Sequence, residues 1–336
     1  MKNIFLLGFV LVGQLGFAQG TSIPDANFEA FLKARYPNCV TGNGTLQANC
    51  NDIANETVLV CAGLGITDLT GIQNFISLNE LHCNNNSLTT LPVLPSTLTV
   101  LNCSANGFTT QPAIPASVTE LLIADNKLTS LSNLPSGLEK LLCEGNKLTS
   151  LPALGASLQV LDCGFNGLTL LPAMPSSLTY LACNDNKLTA AASLSNTVLT
   201  QANFDNNSLT SLPDLPTTLV SLYCSTNLLT GLPALPSSLV TLECNNNQLV
   251  SLPALSGTNL SGLGCRNNQI TGFPALPSSL LVLDAKDNAS ATCLPALPFK
   301  MTRLDISNTG IGCLPNQPIS LPALLPICTS PSQVCP

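Results

Sequence analysis

The sequence is poor in the side chains that carry out most enzyme chemistry. Its 336 residues include no tryptophan and a single histidine, and only 9% of them are charged. Histidine and paired charges perform most acid–base catalysis and much metal binding, so this composition disfavours both activities. The 18 acidic residues outnumber the 11 basic ones. This negative balance opposes phosphate binding, and no nucleic-acid partner is expected.

Long apolar runs are also missing. Although 45% of the residues are hydrophobic, no uninterrupted stretch reaches the ~20 residues that a membrane-spanning helix needs. The sequence therefore predicts no transmembrane segment. A chain this apolar and this weakly charged is not expected to be disordered, so its hydrophobic residues should be buried in folded structure.

The first residues have the pattern of an export signal. Lys2 is followed by an apolar stretch from Ile4 to Gly13, and Gly16 and Ala18 place small residues where a signal peptidase cleaves. Residues 1–18 are predicted to be a signal peptide, with an uncleaved anchor as the disfavoured alternative. The first cysteine is Cys39, so no lipoprotein anchor is expected. The predicted location is secreted or extracellular, with periplasmic or cell-surface association as alternatives, and disulfides persist there.

A unit of about 20 residues, LPxLPSSLxxLxCxxNxLTx, repeats along the chain. Its cysteine position occurs thirteen times, at Cys61, Cys83, Cys103, Ile123, Cys143, Cys163, Cys183, Phe204, Cys224, Cys244, Cys265, Ala285 and Ile306. Each unit is too short to bury its own apolar face, so neighbouring units must stack into a solenoid.

Each unit can be divided into two halves. The stretch from Leu98 to Cys103 alternates apolar and other residues, which predicts a short strand. Stacked strands would form a parallel sheet at ~4.8 Å per unit. An asparagine follows the cysteine position by three residues in eleven units, from Asn86 to Asn288, where its amide can satisfy main-chain groups at a bend. The proline-rich half predicts extended return segments.

This repeat resembles the leucine-rich repeat family, in the LPxLP form found in exported bacterial proteins including type III effectors. The opening IPDANFEAFLKARYP, residues 23–37, resembles the N-terminal cap of secreted repeat proteins from Bacteroidota-like bacteria. The resemblance implies a curved solenoid whose concave face is a parallel β-sheet, whose convex face carries extended return segments, and which binds other macromolecules. Because the repeats extend almost to Pro336, no ubiquitin-ligase domain of the effector kind is expected.

The predicted organisation has four parts. Residues 1–18 are the signal peptide, and residues 19–55 are an N-terminal cap with a helix at about 25–35, begun by Asp25. The repeats occupy residues 56–312, and a cap rich in proline and cysteine covers 313–336. Terminal units of a solenoid must be atypical, since otherwise the core would be open to water.

The 15 cysteines divide into two groups. Nine lie at the inward repeat position, which also accepts Ile123, Phe204 and Ala285, so they are predicted to be free and buried. Six lie outside it and are predicted to form disulfides: Cys39, Cys50, Cys293, Cys313, Cys328 and Cys335. Cys39 is expected to pair with Cys50, while the four C-terminal cysteines allow three pairings.

Two sets of outward-facing residues are candidate binding sites. Large apolar side chains on the outer strand face predict a partner-binding stripe, comprising Leu122, Leu142, Phe165, Tyr180 and Tyr223. A unit with two outward glycines predicts a cleft with acidic walls, comprising Glu243, Gly262, Gly264 and Asp284. Repeat drift for the stripe, and simple tolerance of glycine for the cleft, are the alternatives.

No catalytic, cofactor or metal site is predicted. His82 has only Glu80 near it and is expected to be surface, and the outward carboxylates, such as Asp162 and Asp205, are expected to be a solvated face. The sequence therefore predicts a secreted, non-enzymatic binding module, with a protein as the expected partner. The alternatives are a carbohydrate- or envelope-binding structural adhesin and a toxin-like enzyme with an unrecognised activity.

Overall fold

The computed structural model consists mainly of one long sheet and the irregular return segments that connect its strands. The structure describes residues 20–47, 50–322, 325–330 and 334–335. The predicted signal peptide lies outside these residues. Thirteen parallel strands follow one another in chain order, each hydrogen-bonded to the next. This is the predicted repeat solenoid.

The strands of the large sheet are three residues long. These residues are the part of each unit in which inward and outward side chains alternate. They are β3 (Val58–Val60), β4 (Glu80–His82), β5 (Val100–Asn102), β6 (Glu120–Leu122), β7 (Lys140–Leu142), β8 (Val160–Asp162), β9 (Tyr180–Ala182), β10 (Gln201–Asn203), β11 (Ser221–Tyr223), β12 (Thr241–Glu243), β13 (Gly262–Gly264), β14 (Val282–Asp284) and β15 (Arg303–Asp305).

The strands are in strict register. Leu121 of β6, for example, pairs with Leu141 of β7, which pairs with Leu161 of β8. The central residue of every strand is buried, while the first and third residues point the other way. The outward side is the concave face of the solenoid. Since the repeat length is nearly constant, equivalent side chains form rows across this face.

The remaining elements lie near the N terminus. They are the short strands β1 (Thr21–Ser22) and β2 (Thr45–Leu46), which pair antiparallel, the helices α1 (Ala26–Arg35) and α2 (Asn51–Ala54), and a 3-10 turn at Ile72–Asn74. Within the described ranges, no helix is long and apolar enough to cross a membrane.

Helix α1 closes the N-terminal end of the core. Its N-cap residue, Asp25, accepts a hydrogen bond from the Phe28 amide at 2.8 Å. The same carboxylate accepts two bonds from Thr67, so it also ties the helix to the first coil. Burial raises the pKa of Asp25, but these bonds outweigh it and the pKa lies below its usual value. Phe28 and Leu32 are fully buried in the same core as the first coils.

The inward cysteines behave as apolar core residues. All nine are free and buried. Burial raises their pKa, for Cys103 to about 12. A thiol with such a pKa stays protonated at neutral pH, so it packs as a small hydrophobic side chain and is a poor nucleophile.

The recurring asparagines hold consecutive coils together. The Asn146 side-chain amide donates to the carbonyls of Ile123, in the preceding coil, and Cys143, in its own coil, at 3.0 and 3.1 Å. Its oxygen accepts from the Leu128 amide at 3.0 Å. The same pattern recurs at Asn247. One buried side chain thus satisfies main-chain groups that an apolar residue would leave unpaired.

Three disulfides join the six cysteines that lie outside the repeat position. Cys39 pairs with Cys50, as the sequence predicted. At the other end the pairs are Cys293–Cys335 and Cys313–Cys328. The structure thereby selects one of the three C-terminal pairings that the sequence left open.

Candidate functional site: the concave face

The concave face presents two rows of partly exposed side chains, one from the first and one from the third residue of each strand. Most of these residues are small or polar. Leu122 and Leu142 interrupt this pattern, because they occupy the third position of neighbouring strands and pair directly in register. Neighbouring strands lie ~4.8 Å apart, so the two leucines form one continuous apolar surface. We call Leu122 and Leu142 the leucine pair.

The two tyrosines of the predicted stripe lie in different rows. Tyr180 is the first residue of β9, whereas Tyr223 is the third residue of β11. Both are partly buried. Burial raises the pKa of Tyr180, and the negative charges of Asp162 and Glu144 raise it further. Tyr180 therefore lies within electrostatic reach of the acids that follow the leucine pair.

Phe165 does not lie where the sequence predicted. It was expected on the outer strand face, but it lies in the turn beyond β8, with a backbone φ of 51° and a side chain 60% exposed. The tight bend after each strand requires this left-handed conformation at the equivalent residue of most units. Phe165 is thus an exposed aromatic residue at the edge of the sheet, outside the two rows.

The carboxylates of this region are less exposed than the sequence suggested. Asp162 follows Leu142 in the row of third residues. Its pKa is raised by burial, against a lowering by the Gly164 amide, which donates to its Oδ1 at 3.1 Å. Burial likewise raises the pKa of Asp205. Both residues are partly exposed, so the predicted solvated face is partly desolvated there.

Glu144 is the residue that sequence reasoning missed. It follows the inward Cys143, two residues beyond Leu142 on the same side of the chain. Burial raises the pKa of its carboxyl, and the charges of Asp162 and Asp125 raise it further, against a lowering by its own backbone amide. Its Oε2 atom is buried and accepts no hydrogen bond from any described residue. The small neighbours Ala124 and Gly164 were the available signal.

The predicted cleft is open at one glycine and filled at the other. A Cβ atom at Gly262 would meet nothing within 4 Å, whereas one at Gly264 would collide with the carboxylate of Glu243. Glu243 also accepts a hydrogen bond from the Asn245 amide at 2.8 Å. The Glu243 side chain therefore lies over Gly264 and does not project outward from the sheet. This position narrows the space between Glu243 and Asp284.

Side chains that could do chemistry do not converge on this face. The His82 ring lies 3.3 Å from Glu80. The adjacent Cys83 thiol is buried, which raises its pKa and makes it a poor nucleophile. In the part of the chain that the structure describes, potential metal ligands gather only at Cys39, Cys50 and Asp52. The two sulfurs there are joined in a disulfide, so this group does not form a thiolate metal site.

No protein-family model and no curated protein sequence matches the chain. Solved structures do. YopM from Yersinia enterocolitica is 32% identical with a TM-score of 0.55, and the match covers 78% of this chain and 71% of that one. The chain belongs to the leucine-rich repeat proteins. The stacked strands, the inward leucines and the asparagine positions are thus features of one known repeat architecture.

Two further leucine-rich repeat structures are similar. The functional domain of InlJ from Listeria monocytogenes, described as including a cysteine ladder, is 24% identical with a TM-score of 0.54, over 89% of this chain and 74% of that one. The leucine-rich repeats of FLRT2, in a complex with latrophilin 3 and Unc5D, are 26% identical with a TM-score of 0.55, over 67% and 82% of the two chains. A binding role is consistent with these neighbours.

Proposed function

We propose that this leucine-rich repeat protein is a secreted, non-enzymatic binding module that holds a protein partner on its concave face. The leucine pair carries the proposal. Two large apolar side chains in register on a mostly polar sheet face form a small anchor surface, and buried apolar anchors at the centre of an interface supply most of its binding energy.

The surrounding residues support a protein partner. Tyr180 and Tyr223 lie on the same face, two and four strands beyond Leu142, and tyrosine contributes both apolar area and a polar group at interfaces. The FLRT2 repeats, which share the fold, are found in a complex with other proteins. Among the residues that the structure describes, the buried thiols and the dispersed polar groups form no arrangement suited to catalysis.

A carbohydrate or envelope component is the second candidate partner. Partly exposed Tyr180 and Tyr223 lie among many asparagine and aspartate side chains, including Asn102, Asn203 and Asp162 on the concave face. Aromatic rings and amide groups together suit the apolar faces and hydroxyl groups of sugars. This candidate predicts binding to glycans in the absence of any protein.

The test uses residues 19–336 with their disulfides intact, immobilised and exposed to envelope and host-surface extracts, beside a glycan array. The variant L122S/L142S/Y180S/Y223S should lose the captured protein, because the anchor surface is gone while the buried core is unchanged. A matched control is I76S/V93S/L170S/I319S, which changes four exposed apolar residues outside the concave rows.

The control should retain the partner at the level of the unmodified protein. If a protein captured by the unmodified chain binds the concave-face variant equally well, the proposed site is wrong. Binding of glycans alone, lost in the same variant, would replace the protein partner with the carbohydrate one.

A further inference from the structure

The last strand of the large sheet has an open edge. Strand β15 pairs with β14 on one side, and no strand of the described residues pairs with it on the other. In the coil before it, the Ala285 amide donates to the Asp305 carbonyl at 2.8 Å. The Leu281 carbonyl accepts from the Thr302 amide, also at 2.8 Å. The equivalent groups of the last coil, the Ile306 amide and the Thr302 carbonyl, have no main-chain partner within the described ranges.

The apolar core is also incompletely covered at this end. The inward residue of the last coil, Ile306, is partly exposed, whereas its equivalents in the twelve preceding coils are fully buried. Leu304, Ile306 and Leu325 help to line a cavity of about 260 Å³ there. At the other end of the solenoid, Leu59 of the first strand is fully buried. The terminal caps therefore differ, and only the C-terminal one leaves part of the core open to water.

Two opposite charges lie on the open edge. Arg303 and Asp305 are the first and third residues of β15, so both side chains lie on the concave face. Neither takes part in an ion pair with a described residue. Hydrogen bonds from the Ser307 hydroxyl and amide lower the pKa of Asp305, which keeps its carboxylate ionised at neutral pH. The edge thus carries one positive and one negative group, placed symmetrically about Leu304.

An extended polypeptide strand is the kind of partner that an open sheet edge accepts, because its main chain supplies donors and acceptors at the matching spacing. A second β15, antiparallel and related by a two-fold axis at Leu304, meets these requirements. The two Leu304 residues exchange two hydrogen bonds, and the Ile306 amide of each copy reaches the Thr302 carbonyl of the other. The same register places Arg303 of each copy directly opposite Asp305 of the other. The edge is therefore complementary to itself in hydrogen bonds and in charge.

We infer that β15 pairs with β15 of a second copy of this chain and forms a two-fold symmetric dimer. The contact is isologous, so association stops at two copies. The inference goes beyond the proposed function, because it uses no residue of the leucine pair. Since the two sheets continue into one another, both concave faces lie on the same side of the dimer. The dimer then presents two partner-binding surfaces in one direction.

The experiment measures self-association of residues 19–336, with their disulfides intact, by sedimentation equilibrium over a wide range of concentrations. The test variants are R303D and D305R. Each places like charges in both cross-strand pairs, because the two-fold axis doubles every substitution, so the dimer should weaken at least tenfold. The matched controls K147D and D214R make the same changes of charge at exposed residues of central coils. Both controls should dimerise like the unmodified chain.

An equimolar mixture of R303D and D305R should dimerise again, because every aspartate at the mixed contact faces an arginine. Recovery in the mixture also shows that both variants are folded, and circular dichroism checks each one alone. In the unmodified dimer, the amides of Leu304 and Ile306 should exchange hydrogen more slowly than in the monomer.

Three results would overturn the inference: a chain that is monomeric at every concentration, a dimer that both single variants form equally well, or a mixture of folded variants that associates no better than its components. Slow exchange of the Leu304 and Ile306 amides in a monomer would also overturn it, because another segment would then occupy the edge. The loss of a concave-face partner in L122S/L142S/Y180S/Y223S is unaffected by any of these outcomes.

Discussion

Two stretches of the same sheet differ in whether every carboxylate finds a hydrogen-bond donor. Around β7 and β8, Glu144 has a buried oxygen without a donor. Around β10 to β12, Asp205 accepts from the Ser225 amide at 2.6 Å and Glu243 accepts from Asn245 at 2.8 Å. The main-chain register is the same in both stretches. The scaffold is thus uniform, while the chemistry of its surface is decided locally.

The difference comes from the residues next to each carboxylate, along the chain or on the neighbouring strand. The position after the inward residue reads Ala124, Glu144 and Gly164 in the first stretch, and Asp205, Ser225 and Asn245 in the second. The Asn245 side chain donates to Glu243, and alanine and glycine have no side-chain donor of this kind. Asp205 accepts instead from the Ser225 backbone amide. One oxygen of Glu144 has no donor among the described residues.

The largest expected effect tests whether the hydrogen-bonded cores of the two stretches are equally stable. Replacing Asn146 or Asn247 by alanine should each lower the free energy of unfolding by about 3 kcal/mol, because main-chain groups of two coils lose their partners. The two asparagines make equivalent hydrogen bonds. Urea unfolding measures both. A difference above about 1 kcal/mol would show that the stretches differ in their core as well as on their surface.

A smaller effect tests the unpaired carboxylate. The substitution Glu144→Gln should raise the free energy of unfolding at pH 7 by about 1 kcal/mol, because it removes a charge that burial and the neighbouring carboxylates Asp162 and Asp125 disfavour. Since burial raises the pKa of Glu144 in the folded state above the ordinary carboxyl value of 4.5, the folded protein binds more protons than the unfolded chain just above that pH. Its stability therefore falls as pH rises above that value. The gain in the variant should accordingly vanish below pH 4.5.

The matched substitution is Glu243→Gln, because Glu243 has Asn245 as a donor. It should give no gain in stability at pH 7. Urea unfolding of both variants at pH 7 and pH 4 distinguishes the two sites. Equal gains in the two variants would mean that the hydrogen bond to Glu243 does not matter and that the stretches are alike.

The smallest effect concerns the two glycines of the predicted cleft. Gly262→Ala should change stability by less than about 0.5 kcal/mol, since its Cβ enters open space. Gly264→Ala should cost more, because the Glu243 carboxylate must move aside. Thermal unfolding of the two variants, and of each combined with Glu243→Ala, measures this. If removing Glu243 does not relieve the cost at Gly264, the carboxylate does not fill the cleft.

Much of the architecture could be predicted from the repeat. A period near 20 residues, inward leucines and a recurring asparagine restrict the chain to stacked coils, since no single unit can bury its own apolar face. The inward position accepts Ile123 and Phe204 as well as cysteine, which identified nine thiols as core residues. The N-cap at Asp25 could also be predicted, because its side chain interacts with residues close to it in sequence.

The site was less predictable, because side chains on neighbouring strands are about 20 residues apart in sequence. The pairing of Leu122 with Leu142 followed from the register, so the sequence identified it. The position of Phe165 did not, since its place beyond the strand depends on where the bend begins. Glu144 looked like any surface acid, and only the packing around it shows that one oxygen is buried.

The sequence by itself determined the stacking of coils, the inward faces and the division of the cysteines, because these depend on periodicity and on residues close along the chain. Only the tertiary structure decided the pairing of Cys293 with Cys335, the closure of Gly264 by Glu243 and the unpaired state of Glu144. Each of these depends on which side chains from different coils come together in space, and periodicity carries no information about that.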